Sequence, residues 1–127
     1  MPGPGCLVHG DVQMSNVLVA GGSYQAVIDW GCARLDDPAA DFVAVPLGIV
    51  PDLLTGHPEL APLPDDGRAE ARILWRRLQM LLAVLPRGAA PGMTWAERPA
   101  AWLADLLGFF SDPPGGAWAE LGPPAWR

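Results

Sequence analysis

Three polar side chains near the start of the chain are spaced so that they could act together. Asp11 and Asn16 lie five residues apart, and Asp29 follows 13 residues after Asn16. Two carboxylates and one carboxamide offer the oxygen ligands that a hard cation such as Mg²⁺ prefers. They also suit a base that accepts a proton from a hydroxyl while a metal holds a phosphate.

The apolar runs around these residues predict the element that would bring them together. Cys6–Val8 is a short apolar run, and Asn16–Ala20 and Tyr24–Asp29 are strand-like. The turn signal Gly21-Gly22-Ser23 separates the last two runs and predicts a β-hairpin. Because a hairpin brings its two ends together, the three polar side chains are expected to converge.

Each polar residue taken alone has a simpler explanation, since Asp and Asn favour turns. Asp11 could be a turn residue after Gly10, and Asn16 could mark the entry to a strand. Taken as a set with Asp29 and Asp41, a functional cluster is favoured over separate turn residues.

The segments LVHGDVQMSNVLV and AVIDWGCARLDDPAADF resemble the aminoglycoside phosphotransferase and choline kinase-like superfamily. That pattern is H-G-D-x-x-x-x-N, a hairpin, I-D-W and then D-P-x-x-D, related to the H-R-D and D-F-G motifs of protein kinases. The resemblance covers Leu7 to about Val43. It implies an α+β fold, a protein-kinase-like C-terminal lobe that is mostly helical, with a short β-hairpin carrying the catalytic loop and the N-terminal lobe absent.

The same resemblance implies the chemical roles. Asp11 corresponds to the catalytic base, which accepts or orients the proton of the substrate hydroxyl. Asn16 and Asp29 correspond to the Mg²⁺ ligands, and ATP is the implied phosphoryl donor.

Three further residues are implied to support the site. His9 corresponds to the histidine that braces the loop by hydrogen bonding. Asp41 corresponds to a buried brace for the catalytic loop, and Trp30 is expected to pack beneath that loop. The resemblance does not indicate which residues bind the acceptor.

Helical segments are predicted after the motif region. Asp37 and Pro38 predict a helix start, with that helix ending near Val45. A Pro-rich connection from Pro51 to Pro64 is expected to follow. The clearest helix is Asp66–Leu85, and a last helix is predicted from Pro99 to about Ser111.

The clearest helix has two predicted faces. Its apolar stripe consists of leucines at three- and four-residue spacing: Leu74, Leu78, Leu81, Leu82 and Leu85. Arg68, Arg72 and Arg76 lie opposite and are interpreted as a solvated face rather than a phosphate-binding row. Tryptophans outside the motif are interpreted as packing residues: Trp75, Trp95, Trp102, Trp118 and Trp126.

The predicted organisation is one partial domain followed by a tail. Residues 1–112 form the aminoglycoside phosphotransferase-like part, with catalytic motifs in 7–43 and a helical part in 44–112. Residues 113–127 form a Pro/Gly-rich tail that is expected to be mobile or loosely docked.

Composition excludes several classes of partner. The net charge is −6 and all eight basic residues are Arg, which disfavours nucleic acid and anionic membranes. The N-terminal residues show no signal peptide and no stretch reaches the length of a membrane span, so a cytoplasmic protein is expected.

The expected function is ATP- and Mg²⁺-dependent phosphoryl transfer to a hydroxyl of a small molecule such as an aminoglycoside. Only eight residues precede His9, and there is no Gly-rich phosphate loop and no Lys. We therefore expect a truncated or split chain, with another chain as a possible source of the missing N-terminal lobe. An inactive kinase-like remnant acting as a binding module, and a metal-dependent phosphohydrolase, remain as alternatives.

Overall fold

Two small antiparallel sheets hold the motif region together. The computed structural model describes residues 5–56 and 68–122. Strand β1 (Cys6–Val8) pairs with β4 (Arg34–Asp36), and β2 (Val17–Ala20) pairs with β3 (Ser23–Val27). The predicted hairpin is therefore confirmed, and it is inserted between the two strands of the other sheet.

The hairpin turns at two consecutive glycines, as the sequence predicts. Gly21 and Gly22 have φ angles of 58° and 76°. Two positive φ values in succession suit the right-handed twist of the flanking strands, and glycine adopts them without steric cost. Single-turn 3-10 helices connect many of the elements: Met14–Asn16, Trp30–Cys32, Pro38–Phe42, Leu47–Ile49, Leu85–Arg87 and Trp95–Glu97.

Helices make up most of the remaining described chain. They are α1 (Val50–Gly56), α2 (Ala69–Val84), α3 (Pro99–Ser111) and α4 (Ala117–Leu121). Together with the two sheets they confirm a mixed helix-and-strand fold. Among the described residues, none of these helices combines the length and the apolar character needed to cross a membrane.

Two segments differ from their predictions. The helix expected between Asp37 and Val45 is only a 3-10 turn, Pro38–Phe42, in which the Asp37 carboxylate accepts a hydrogen bond from the Ala39 N–H at 2.9 Å. The Pro-rich connection begins instead with α1, because proline is tolerated in the first turn of a helix. The rest of that connection, 57–64, lies outside the described residues.

The hydrophobic core joins the helices to the segment that follows the motifs. Its buried members are Ala39, Phe42, Val45, Leu47, Val50, Ile73, Leu81, Leu106, Phe110 and Trp118. Trp118 is only 4% exposed. The prediction of a mobile or loosely docked tail is therefore wrong for residues 113–122, because α4 inserts this indole into the core.

Helix α2 is rotated relative to its predicted apolar stripe. Its buried residues are Ile73, Arg77 and Leu81, whereas Leu82 is 73% exposed. The arginines predicted to be solvated also have partners. Arg72 Nε lies 3.1 Å from Asp37, and Arg76 lies 2.7 Å from Asp36. The solvated-face interpretation is wrong for these two residues, which connect α2 to the end of β4.

The Asp36 carboxylate is the main hydrogen-bond acceptor at this contact between α2 and β4. Arg76 and Arg34 both donate hydrogen bonds to its carboxylate, and it also accepts one from the backbone N–H of Asp37. Burial acts to raise the pKa of Asp36, but the hydrogen bonds from Arg76, Asp37 and Arg34 outweigh it. They hold this pKa below its ordinary value of 3.8.

A lowered pKa makes the ionised carboxylate a stabilising group in the folded state. Its contribution is fully present at a pH above the pKa of Asp36 in the unfolded state. It is lost as the pH falls through the lower pKa of the folded state. We expect Asp36→Asn to lose roughly 1 kcal/mol or less of stability at neutral pH. Urea unfolding between about pH 6 and pH 3 should show a smaller loss for this variant than for the wild type. Asp52→Asn, at an exposed position of α1, is the control, and an identical pH dependence in all three proteins would contradict the prediction.

Candidate active site

The loop between β1 and β2 folds back on Asp11. The Asn16 side-chain amide donates to the Asp11 backbone oxygen at 2.9 Å and lies 3.4 Å from the carboxylate oxygen Oδ2. The Gln13 side-chain amide lies 3.0 Å from both Asp11 carboxylate oxygens. Asp11 and Asn16 are therefore brought together, and Gln13 joins them.

A single carboxylate braces the start of this loop. One Asp41 oxygen accepts from the His9 N–H at 2.9 Å, and the other accepts from the Gly10 N–H at 2.7 Å. Gly10 has a φ of 81°, and a Cβ there would meet the Cys32 carbonyl oxygen at 2.5 Å. A glycine is needed at this position because the loop passes directly against the backbone of residue 32.

His9 connects the loop to the residue that follows the second strand of the hairpin. It is 3% exposed, and its Nε2 lies 2.8 Å from the Ile28 carbonyl oxygen. Its Nδ1 lies 3.3 Å from the Asp11 N–H, so Nδ1 is the acceptor and Nε2–H is the donor. The histidine thus orients the backbone on both sides of the site.

The backbone that leads into Asp29 is hydrogen-bonded to Asn16 by a continuation of the β2–β3 ladder. The Ile28 N–H donates to the Asn16 carbonyl oxygen at 2.9 Å, and Asp29 follows directly. Asp29 is exposed and adopts the left-handed conformation, with φ and ψ both 63°. Among the described residues it is the one non-glycine residue with a positive φ. Such strain is typical of functional positions.

Trp30 contacts the loop from its side. Its ring meets the His9 ring edge-on at a centroid distance of 4.7 Å, and its Nε1–H donates to the Val27 oxygen at 3.0 Å. The indole remains 53% exposed. It therefore packs against the loop histidine, as the sequence predicts, but one side of it faces solvent.

The donor set around the hairpin mouth suits magnesium in its chemistry. The amide nitrogen of Asn16 is committed to Asp11, so its oxygen is the atom available to a metal. The Asp29 carboxylate is exposed, and Mg²⁺ keeps several waters and takes only one or two protein ligands in nucleotide sites. The described residues contain no cluster of three or more His, Cys, Asp or Glu side chains arranged to hold a metal. A metal here would therefore depend on waters and phosphate oxygens for its remaining ligands.

A cavity of about 530 Å³ adjoins the loop. One wall is the loop itself, at Gln13, Met14 and Ser15, and the opposite wall comes from the turn Trp95–Glu97 and the first half of α3. Gln13 lines the cavity, and its side-chain amide contacts the Asp11 carboxylate, so this residue connects the cavity to the loop. The volume falls within the range typical of small-molecule sites, about 300–1,000 Å³.

An ion pair between buried Arg77 and partly exposed Asp105 lines the cavity. Arg77 is 3% exposed and donates to the backbone oxygens of Val43 and Val45 at 2.6 and 2.7 Å. Its Nη2 donates to Asp105 at 2.5 Å, and the same Asp105 oxygen accepts from the Leu47 N–H at 3.0 Å. Burial lowers the pKa of Arg77, and the adjacent Asp105 carboxylate opposes that effect.

The sequence pattern did not identify this second part of the site. Arg77 could have been found, because it falls four residues from both Ile73 and Leu81 and so lies on the buried stripe of α2. Trp95 was interpreted as a packing residue, yet it is 63% exposed and lines the cavity. No pattern in the sequence links residue 95 to the loop at residues 13–15.

Comparison with known families agrees with the motif geometry. The model of the phosphotransferase enzyme family (APH) matches residues 1–81 of the 127-residue chain. The chain therefore belongs to this phosphotransferase family, and the resemblance to aminoglycoside phosphotransferases and choline kinase-like proteins is confirmed at family level. No curated protein and no solved structure matches it significantly.

Proposed function

We propose that the protein is an ATP- and Mg²⁺-dependent phosphotransferase that acts on a hydroxyl of a small molecule, within a protein-kinase-like C-terminal lobe. The observation that carries the proposal is the closure of Asn16 onto Asp11 at the mouth of the hairpin, with Asp29 two residues after the end of strand β3. The cavity beside Gln13 supports an acceptor site in reach of Asp11. Aminoglycosides are one acceptor class that the family membership suggests.

In the proposed reaction, Asp11 positions the acceptor hydroxyl and takes its proton. The hydroxyl oxygen forms a bond to the γ-phosphorus of ATP, the bond from that phosphorus to the β,γ-bridging oxygen breaks, and ADP leaves. Asn16 and Asp29 would hold Mg²⁺, which when bound neutralises charge on the nucleotide phosphates. Gln13 would hold the Asp11 carboxylate in place, and Asp41 and His9 would fix the backbone of the loop.

A cation over the phosphates completes the proposal. Kinase-like sites use a Lys for this purpose, and these 127 residues include none. We propose that an N-terminal lobe on another chain, or in a longer form of this one, supplies it. The 127-residue chain alone is then expected to bind ATP weakly, with a Kd above about 100 μM.

Substitutions of Asp29 test the nucleotide site directly. Glycine adopts positive φ without cost, so Asp29→Gly should leave the free energy of unfolding unchanged or raise it by up to about 1 kcal/mol. Asp29→Ala should lower it by about 1 kcal/mol, because alanine has a Cβ and no polar atom to stabilise this conformation. Both variants should lose Mg²⁺-dependent ATP binding, measured by titration calorimetry with and without Mg²⁺.

Comparing Asp29→Gly with Asp29→Ala distinguishes an effect on stability from an effect on binding. Both variants lack the carboxylate, but they are expected to differ in their free energy of unfolding. Unchanged Mg²⁺-dependent ATP binding in Asp29→Gly would contradict the proposed metal role.

The alternative function is a kinase-like binding module without catalysis. Large apolar side chains on one sheet support it, because the cross-strand pair Leu7 and Leu35 is 66% and 76% exposed. This alternative predicts that the wild-type chain binds no nucleotide in the same calorimetric experiment, even at millimolar ATP and Mg²⁺.

A further inference from the structure

The cavity beside the catalytic loop has a charge and a lining that restrict its occupant. Its wall is mostly apolar, with Met14, Trp95 and Trp102 as the large side chains. Its ionisable groups are Arg77, Glu97 and Asp105. Arg77 and Asp105 neutralise each other in their ion pair, which leaves one uncompensated negative charge among the lining residues, on Glu97.

Glu97 is held in place and ionised by the turn that carries it. Its Oε2 accepts hydrogen bonds from the Thr94 N–H at 2.7 Å and from the Thr94 hydroxyl at 2.8 Å. Both hydrogen bonds lower the pKa of Glu97 below its ordinary value of 4.5, and the bond from the Thr94 hydroxyl has the larger effect. The carboxylate is exposed and can therefore meet a cation at the cavity rim.

The indoles provide the second half of a cation site. Trp102 is fixed by a hydrogen bond from its Nε1–H to the Ala96 oxygen at 3.0 Å, and the Arg77 guanidinium lies 5.2 Å from its ring centroid. Trp95 is 63% exposed next to Glu97. An exposed indole beside a carboxylate attracts an organic cation through its ring face and through charge.

We propose that this cavity binds an amphipathic amino alcohol that carries a single positive charge. Its cation lies at Glu97 and Trp95, and its apolar body packs along Trp102 and Met14. Its hydroxyl lies at the Gln13 end, where the Gln13 side-chain amide contacts the Asp11 carboxylate. A polycation is disfavoured because the cavity offers one net negative charge, and additional buried cations would have no partner. This assignment rests on the proposed function only for the identity of the hydroxyl as the phosphoryl acceptor.

Four probes of different charge and apolar length test the assignment by titration calorimetry on the intact chain. They are hydroxyethyl-dimethyl-hexylammonium, the neutral hexyloxyethanol, choline and the polycation kanamycin. We expect the hexylammonium alcohol to bind about tenfold tighter than hexyloxyethanol. We expect it to bind at least about tenfold tighter than choline, which lacks the apolar body, and tighter than kanamycin.

Matched variants locate the binding. Glu97→Gln removes the charge and keeps a residue that can complete the Thr94 capping box, so the turn should stay folded. It should weaken the hexylammonium alcohol about threefold to fivefold and leave hexyloxyethanol unchanged. Glu120→Gln on α4, outside the cavity, is its control. Trp95→Ala should weaken the hexylammonium alcohol more than hexyloxyethanol, because the proposal places Trp95 against the cation. Trp75→Ala, which removes an equally exposed indole from α2, should affect neither.

Several results would overturn the assignment: no binding of the hexylammonium alcohol, tighter binding of kanamycin, or equal effects of Glu97→Gln on the charged and neutral probes. The nucleotide experiment is independent of these. If Mg²⁺-dependent ATP binding is present and the amino alcohol does not bind, the cavity assignment fails and the phosphotransferase proposal stands. If the amino alcohol binds and ATP does not, the cavity assignment stands and the phosphotransferase proposal fails.

Discussion

Asp11→Asn is expected to lower kcat for phosphoryl transfer by about 10²–10⁴ while leaving the fold intact. The variant keeps an oxygen that can accept the Gln13 hydrogen bond, but it cannot take the proton of the acceptor hydroxyl. Transfer of labelled γ-phosphate would be followed for the best acceptor found in a panel of aminoglycosides, macrolides, amino alcohols and sugars.

Binding and stability measurements distinguish loss of chemistry from loss of structure. Mg²⁺-dependent ATP affinity and the free energy of unfolding should both remain near the wild-type values in Asp11→Asn. Asp52→Asn makes the same chemical change at an exposed position of α1 and should retain full activity. Retention of most of the wild-type kcat by Asp11→Asn would refute the assignment of the base.

Asp105→Ala should lower the free energy of unfolding by about 3–5 kcal/mol. This change leaves the buried Arg77 cation without its carboxylate and removes the acceptor of the Leu47 N–H. For a domain whose total stability is of order 5–15 kcal/mol, such a loss is a large fraction. Urea unfolding followed by circular dichroism measures it.

The double variant Arg77→Leu with Asp105→Leu tests whether the unpaired charge causes the loss. Replacing both partners removes the buried cation. The loss of stability in the double variant should therefore be smaller, by at least about 1 kcal/mol, than the sum of the losses in Arg77→Leu and Asp105→Leu alone. Strict additivity would mean that the pair contributes only through its separate contacts with the backbone.

Local patterns in the sequence predict the hairpin and α3 well, and they miss elements that depend on distant partners. The hairpin has both strands and a Gly-Gly turn within eleven residues, so its information is local. β4 is only three residues long, has no β-branched residue, and pairs with β1 almost thirty residues earlier. Its formation depends on a long-range contact that no window around Arg34–Asp36 contains.

The candidate site divides in the same way. The loop carries its polar residues in one motif, and Asp11 and Asn16 lie five positions apart, so sequence spacing predicts their proximity. The cavity combines residues 13–15 with residues 94–105, which only the packing of α3 against the core brings together. The partners of Arg72 and Arg76 cannot be predicted from the sequence around α2 for a related reason, since they lie at the end of β4.

The position of the hairpin has a consequence for how the family can vary. Asp41, His9 and the β1–β4 ladder anchor the loop from below, and Gly21 and Gly22 at the tip have open space around them. The ribbon can therefore be lengthened or shortened at its tip without disturbing the residues at its base. Evolution can therefore vary the tip of the ribbon while the backbone around Asp11 keeps its place.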